Sequence, residues 1–173
     1  MKHDKKEWGL PGNGWFSAAI TASVSLLVTI FLVFLLPTLV FHALADTMEF
    51  PSSQHVDGEA LAEAFTSWYL PGFLFLCLLA SLLLIWIINW GRIRNAFLAV
   101  GISALLAGFF SVTIGIASRS LLGLLPGVYQ SQLLGAADVY RELAFAFSLV
   151  LTVVGVFFLS VYADIVILRR NKG

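Results

Sequence analysis

Four stretches of the chain contain neither charged residues nor histidine, and polar segments separate them. They cover about 15–41, 66–90, 95–118 and 143–163. A helix needs about 20 mainly apolar residues to cross roughly 30 Å of hydrocarbon, so each stretch is long enough to span a membrane. An isolated spanning segment satisfies its own backbone hydrogen bonds only as a helix. The pattern predicts an all-α membrane protein, with four transmembrane helices in a single domain over residues 1–173.

Basic residues near the span ends predict the orientation. One end of the bundle collects most of them: Lys2, Lys5, Lys6, Arg92, Arg94, Arg169, Arg170 and Lys172. The loops at the other end, 42–65 and 119–142, contain only Arg119 and Arg141. Because lysine and arginine mark the cytoplasmic side, we expect antiparallel helices with both termini cytoplasmic. The bacterial cytoplasmic (plasma) membrane is the expected location.

Composition narrows the class of protein further. Hydrophobic residues make up 60% of the chain and charged residues 12%, with a formal net charge of zero. That apolar share is too large for a soluble domain, and the absence of a basic excess argues against a nucleic-acid partner. The single cysteine excludes a disulfide scaffold. No nucleotide, phosphate-loop or nucleophile motif occurs, so we predict neither a cofactor nor an enzyme.

The third span contains a stripe of small residues, here called the small-residue seam. Its members recur at steps of three and four: Gly101, Ala104, Gly108, Ser111, Gly115 and Ser118. Small residues allow helix backbones to approach closely in lipid, and a 3.5-residue period favours a left-handed crossing. The fourth span offers another plausible packing face at Ala144, Ser148, Thr152 and Gly155. The third helix is therefore expected to be central.

The first span has a row of hydroxyl residues, each four positions apart: Ser17, Thr21, Ser25 and Thr29. A functional interpretation is a polar lining for a pathway. The simpler interpretation, which we favour, is interhelical packing with hydroxyl-to-backbone hydrogen bonds. Pro37, near the outer end of the same span, is expected to kink the helix or end it early.

The first outer loop is acidic and contains two histidines. Weak candidates for metal ligands are His42, His55, Asp57 and Glu59, but their spacing matches no compact ligand motif. Docking of a basic partner and plain solvation are the alternatives, and solvation is favoured. At the start of this loop, Ala43-Leu44-Ala45 resembles a signal-peptidase site. Cleavage after Ala45 would leave three spans, but the first apolar run is much longer than a signal peptide requires, which favours an uncleaved anchor.

Acidic residues near the fourth span have structural interpretations. Asp138 is expected to cap the start of that helix and to pair with Arg141 three residues later. Asp164 is expected to pair with Arg92, Arg94 or Arg169. A two-aspartate intramembrane protease would need Asp138 and Asp164 together, but about 37 Å of helix would separate them.

The function these features favour is that of a small accessory or assembly subunit. It would associate with another membrane protein, or with its own copies, through helix faces. The alternative is an oligomeric channel or facilitator for a small solute, lined by the hydroxyl row of the first helix. An enzyme that uses a metal in the outer loop ranks third.

Overall fold

The protein is a bundle of long α-helices. A computed structural model describes residues 14–44, 69–123 and 127–170, and the described part contains four helices. They are α1 (Gly14–Leu44), α2 (Tyr69–Ile88), α3 (Ile93–Leu122) and α4 (Gly127–Arg170). All four are long and apolar enough to cross a membrane, over Phe16–Val40, Tyr69–Ile88, Ile93–Ser120 and Ala137–Leu168. The all-α class and four helices able to cross a membrane are thus confirmed for the described residues.

The first helix does not end at its proline. α1 continues through Pro37 to Leu44, so the expectation of an early end is wrong. Proline removes one backbone donor from the helix. The hydroxyl of Thr38 donates to two nearby carbonyl oxygens, that of Phe34 at 3.1 Å and that of Leu35 at 2.8 Å. Neither is the carbonyl oxygen of Val33, four residues before Pro37, which is the one that loses its backbone donor to the proline.

The fourth helix begins well before the predicted span. α4 starts at Gly127, directly after Pro126 in the sequence, and so occupies much of the segment expected to be a loop. Asp138 lies inside this helix, and the prediction that it caps the helix is wrong. Charged residues mark where the chain leaves hydrocarbon. They do not mark where the helix ends, because a helix retains its backbone hydrogen bonds in water.

The helices pack around α1 and α3, each of which contacts the other three. The α3–α4 contact is the most extensive, and α2 is held mainly by α1. One apolar cluster joins α1, α2 and α3 around Val28 and Ile85. A second joins Val33, Ala107 and Leu151 from α1, α3 and α4. The predicted central position of α3 therefore applies to α1 as well.

The helices differ in length, which positions the bundle relative to a bilayer. α2 has 20 residues, or about 30 Å, the thickness of the hydrocarbon core. Aromatic side chains next to both ends of this segment are largely exposed: Tyr69 by 87% and Trp90 by 74%. Such residues favour the membrane–water interface. α3, with 30 residues, and α4, with 44, extend beyond this thickness, at about 45 and 66 Å.

Candidate functional site

The small-residue seam of α3 lies against α4. A Cβ atom added to Gly101 would lie 3.0 Å from Cγ of Leu159, and one added to Gly108 would lie 3.3 Å from the carbonyl oxygen of Ser148. A Cβ on Gly115 would meet Cβ of Ala144 at 3.0 Å. As the residue number increases along α3, the number of the opposing residue on α4 therefore decreases. A Cβ at any of these three glycines would be closer to α4 than ordinary contacts allow, so neighbouring atoms of α4 would have to shift.

The other seam residues follow the same face. Ala104 and Ser111 are buried, and Ser118 is half-buried with its hydroxyl donating to the carbonyl oxygen of Gly115 at 2.8 Å. On α4, Ala144 and Gly155 are buried and Ser148 is half-buried. Thr152 is instead exposed and bonds to its own helix. The seam is thus occupied within the chain.

The closest approach of α3 and α4 lies at Gly101 and Gly155. A Cβ on Gly155 would lie 2.7 Å from Cγ of Leu105 and 3.0 Å from the carbonyl oxygen of Gly101. Ordinary carbon contacts are about 3.5–4.0 Å. A leucine side chain can rotate away, but a helical carbonyl oxygen cannot. Gly155 therefore sets the distance between the two helices.

The hydroxyl row of α1 lies partly in helix contacts. Thr21 and Thr29 are buried, and their hydroxyls donate to the carbonyl oxygens of Ser17 at 2.8 Å and Ser25 at 3.0 Å. Ser25 reaches α3, where its hydroxyl lies 2.5 Å from that of Ser103 and 3.2 Å from the carbonyl oxygen of Ala99. Ser103 in turn donates to the carbonyl oxygen of Ser25 at 3.0 Å. The described contacts join α1 to α3 by hydrogen bonds.

Two residues in these contacts were missed by sequence reasoning. Asn89 is 4% exposed and donates through Nδ2 to Oγ1 of Thr21 at 3.1 Å and to the carbonyl oxygen of Ile85 at 2.9 Å. It links α1 to the turn that follows α2. A lone asparagine in an apolar span was a usable signal, because its amide needs partners in lipid. Ser103 lies off the seam, and nothing in its spacing distinguished it.

Exposed hydroxyls on the spans bond to their own helices. Each donates to the carbonyl oxygen four residues earlier, at 2.8–3.0 Å, in the cases of Ser23, Thr113, Thr152 and Ser160. A hydroxyl that faces lipid has no water to bond, so the carbonyl oxygen of its own helix serves as its hydrogen-bond partner. These surfaces are compatible with acyl chains.

Two buried hydroxyls differ from the others. Oγ of Ser111 and the hydroxyl of Tyr140 are buried without a hydrogen-bond partner in the described part of the chain. Ser111 belongs to the seam, and Tyr140 packs with Leu36, Val40 and Ala144. A buried unpaired polar group costs about 1–3 kcal/mol. Among the described contacts, each hydroxyl therefore offsets part of the stability gained by burying its side chain.

At the end of the bundle away from the α2–α3 turn, an ion pair joins α3 to α4. Nε and Nη2 of Arg119 donate to Oδ1 and Oδ2 of Asp138 at 2.8 and 2.7 Å. This two-bond geometry is the one that arginine and carboxylate favour. No second pair between an arginine and a carboxylate forms among the side chains that the structure describes. The expected pairs of Asp138 with Arg141 and of Asp164 with Arg92 or Arg94 are therefore not formed there, and the side chain of Arg169 lies outside the described set.

The metal-binding hypothesis concerns residues that are mostly outside the described ranges. His55, Asp57 and Glu59 lie there, whereas His42 is in the last turn of α1. Within the described residues, no group of three or more His, Cys, Asp or Glu side chains could hold a metal ion. Asp138 and Asp164 lie on one continuous helix, about 39 Å apart. The geometry required of a two-aspartate protease is absent.

The fold and these contacts define a class, an all-α protein whose four described helices are suited to crossing a membrane. Comparisons with protein-family models, with curated proteins and with solved structures each find no match. Function is therefore argued from the chain's own surfaces.

Proposed function

We propose that the chain is a small integral membrane accessory subunit that binds another membrane protein through α2. The observation that carries this proposal is the one-sided packing of α2. Its buried residues, Pro71, Leu78, Ser81 and Ile85, all lie on one face, and α1 supplies most of its contacts. The opposite face is open to a partner.

The exposed side of α2 has the pattern of a helix-pairing surface. A stripe at alternating steps of four and three runs along the helix and into the following turn, and we call it the α2 stripe: Tyr69, Phe73, Leu76, Ala80, Leu83, Ile87 and Trp90. This 3.5-residue period suits a left-handed crossing with a second helix. Ala80, at its centre, would let the partner backbone approach. The proposed role is non-enzymatic.

The proposed topology is an antiparallel bundle with both termini cytoplasmic, in a bacterial plasma membrane. The opposite order of the α3–α4 contacts and the exposed arginines at the α2–α3 turn support it. Single cysteines at Arg94 and Asp138, in a Cys77→Ser background, test it. A membrane-impermeant maleimide added to intact cells is expected to label the Asp138→Cys protein and not the Arg94→Cys protein. Labelling of the Arg94→Cys protein and not of the Asp138→Cys protein would show the opposite topology.

A matched pair of alanine substitutions tests the accessory role. Ala80 and Ala146 are both exposed within spans, but only Ala80 belongs to the α2 stripe. After purification from native membranes in mild detergent, mass spectrometry should find a stoichiometric membrane protein with the wild-type chain and with Ala146→Phe. Ala80→Phe should lose it, because the larger side chain separates the helices. A wild-type chain that purifies without a stoichiometric partner contradicts the proposal, and so does equal retention by both variants.

The channel alternative remains a prediction about an oligomer. Within one chain, the contacts of Thr21, Ser25 and Thr29 favour packing over a lining. Passive flux into reconstituted vesicles that a bulky substitution at Ser25 abolishes would support a channel.

A further inference from the structure

Two arginines at the α2–α3 turn are exposed and positioned by the backbone. The N–H of Arg92 donates to the carbonyl oxygen of Asn89 at 2.7 Å, and the N–H of Asn95 donates to the carbonyl oxygen of Arg92 at 2.8 Å. These bonds hold the backbone of a short turn, and so they fix the positions from which the side chains of Arg92 and Arg94 extend. Neither guanidinium has an ion pair or a side-chain hydrogen bond with any described residue. Arginine stays charged and suits phosphate oxygens.

A row of aromatic rings lies about one helical turn deeper in the bundle. Trp86 of α2 meets Phe97 of α3 edge to face, with ring centroids 5.3 Å apart. Phe97 meets Phe158 of α4 at 5.6 Å. This aromatic row therefore crosses three helices, and the ring of Trp90, at the turn, is exposed. Phe97 follows Arg94 by three residues, so the aromatic row begins within one helical turn of the charged residues.

We propose that this end of the bundle binds an anionic phospholipid. The headgroup phosphate lies between Arg92 and Arg94, and an acyl chain lies along the aromatic row. Charge complementarity selects the anion, and the aromatic row selects a lipid over a soluble phosphate. Asp164 is an exposed acid on α4, but it forms no ion pair with either arginine among the described residues. The proposal rests on membrane insertion and is independent of the partner protein.

Native mass spectrometry of the full chain in a neutral detergent tests the proposal, with phosphatidylglycerol and phosphatidylcholine as probes. The wild-type chain should bind phosphatidylglycerol more tightly. Arg92→Gln/Arg94→Gln should weaken that binding about 30-fold, which is two arginines at about 1 kcal/mol each. The control is Arg119→Gln/Arg141→Gln, which removes the same charge from the other end and should leave the affinity unchanged. Arg92→Lys/Arg94→Lys keeps the charge and should retain most of the preference.

Three outcomes would overturn the proposal. Equal affinity for the two lipids would show that charge does not select the ligand. An equal loss in the outer control would show that binding depends on total charge and has no site at the turn. Displacement of the lipid by glycerol phosphate at the same concentration would show that the aromatic row contributes nothing. Circular dichroism of each variant establishes that it is folded. Arg92 and Arg94 are exposed, so their substitution is expected to leave the fold intact.

Discussion

Replacement of Gly155 by alanine is predicted to force α3 and α4 apart. The new Cβ would lie 2.7 Å from Cγ of Leu105 and 2.8 Å from its Cδ2, with the carbonyl oxygen of Gly101 at 3.0 Å. Ordinary carbon contacts need about 3.5–4.0 Å. Rotation of Leu105 relieves the first two contacts only. The backbone oxygen can move only if the helices separate by several tenths of an ångström.

The expected magnitude follows from a matched glycine on the same helix. Gly135 of α4 has nothing within 4 Å of an added Cβ. Both substitutions gain the same helix propensity, about 1 kcal/mol from glycine to alanine. The difference between them is therefore the overpacking cost alone, about 1–3 kcal/mol. Gly135→Ala should be neutral or stabilising, and Gly155→Ala should be the less stable variant by that difference.

Reversible unfolding in mixed micelles, followed by circular dichroism, measures the two free energies of unfolding. Leu105→Ala in the Gly155→Ala background should recover part of the loss, with a coupling above about 0.5 kcal/mol, because the two side chains compete for one space. If Gly155→Ala and Gly135→Ala unfold with the same free energy, the close approach of α3 and α4 at this position is refuted.

Two further predictions compare polar groups by the same unfolding assay. Ser103→Ala should destabilise the fold by about 0.5–1.5 kcal/mol, because it removes the bond to α1, whereas Ser111→Ala should be neutral or stabilising, because that hydroxyl is buried without a partner among the described residues. Equal losses from the two fully buried serines would contradict this assignment. Asn89→Leu and Thr21→Val should show a coupling of about 0.6 kcal/mol, with about 1.7 as an upper value for interhelical bonds in lipid. A double-mutant cycle that gives no coupling would rule out the bond between them.

The spans were predictable because lipid imposes a severe requirement on the chain. A single charge-free run that crosses lipid can satisfy its own backbone hydrogen bonds only as a helix. The limits of the helices were less predictable. Pro37 and the charges around Asp138 were expected to end or to cap helices, but α1 and α4 continue through them. One missing backbone donor does not end a long apolar helix in lipid, and charged residues end only the part of a helix that faces lipid.

The sequence predicted that α3 packs closely against another helix, but it did not predict which helix that is. The spacing of Gly101, Gly108 and Gly115 predicted a close approach, but small residues alone do not specify the opposing helix. That depends on where α4 supplies its own small residues, at Ala144 and Gly155. The hydroxyls of α1 were ambiguous for a related reason. A hydroxyl on every helical turn is compatible with a polar lining as well as with the hydrogen-bonded contact that we favoured, and the position of α3 distinguishes them.

The unequal helix lengths have a consequence for the end of the bundle that contains Arg119 and Asp138. α3 has 30 residues and is about 45 Å long. To fit within about 30 Å of hydrocarbon it would have to tilt by about 48°, beyond the usual 0–40°. The last turns of α3 and the facing turns of α4 must therefore project out of the hydrocarbon. Arg119 lies about 39 Å along α3 from Ile93, so its pair with Asp138 is in the headgroup region or in water. An exposed pair there is screened by salt, and it serves to hold the projecting ends of α3 and α4 together more than to stabilise the buried bundle.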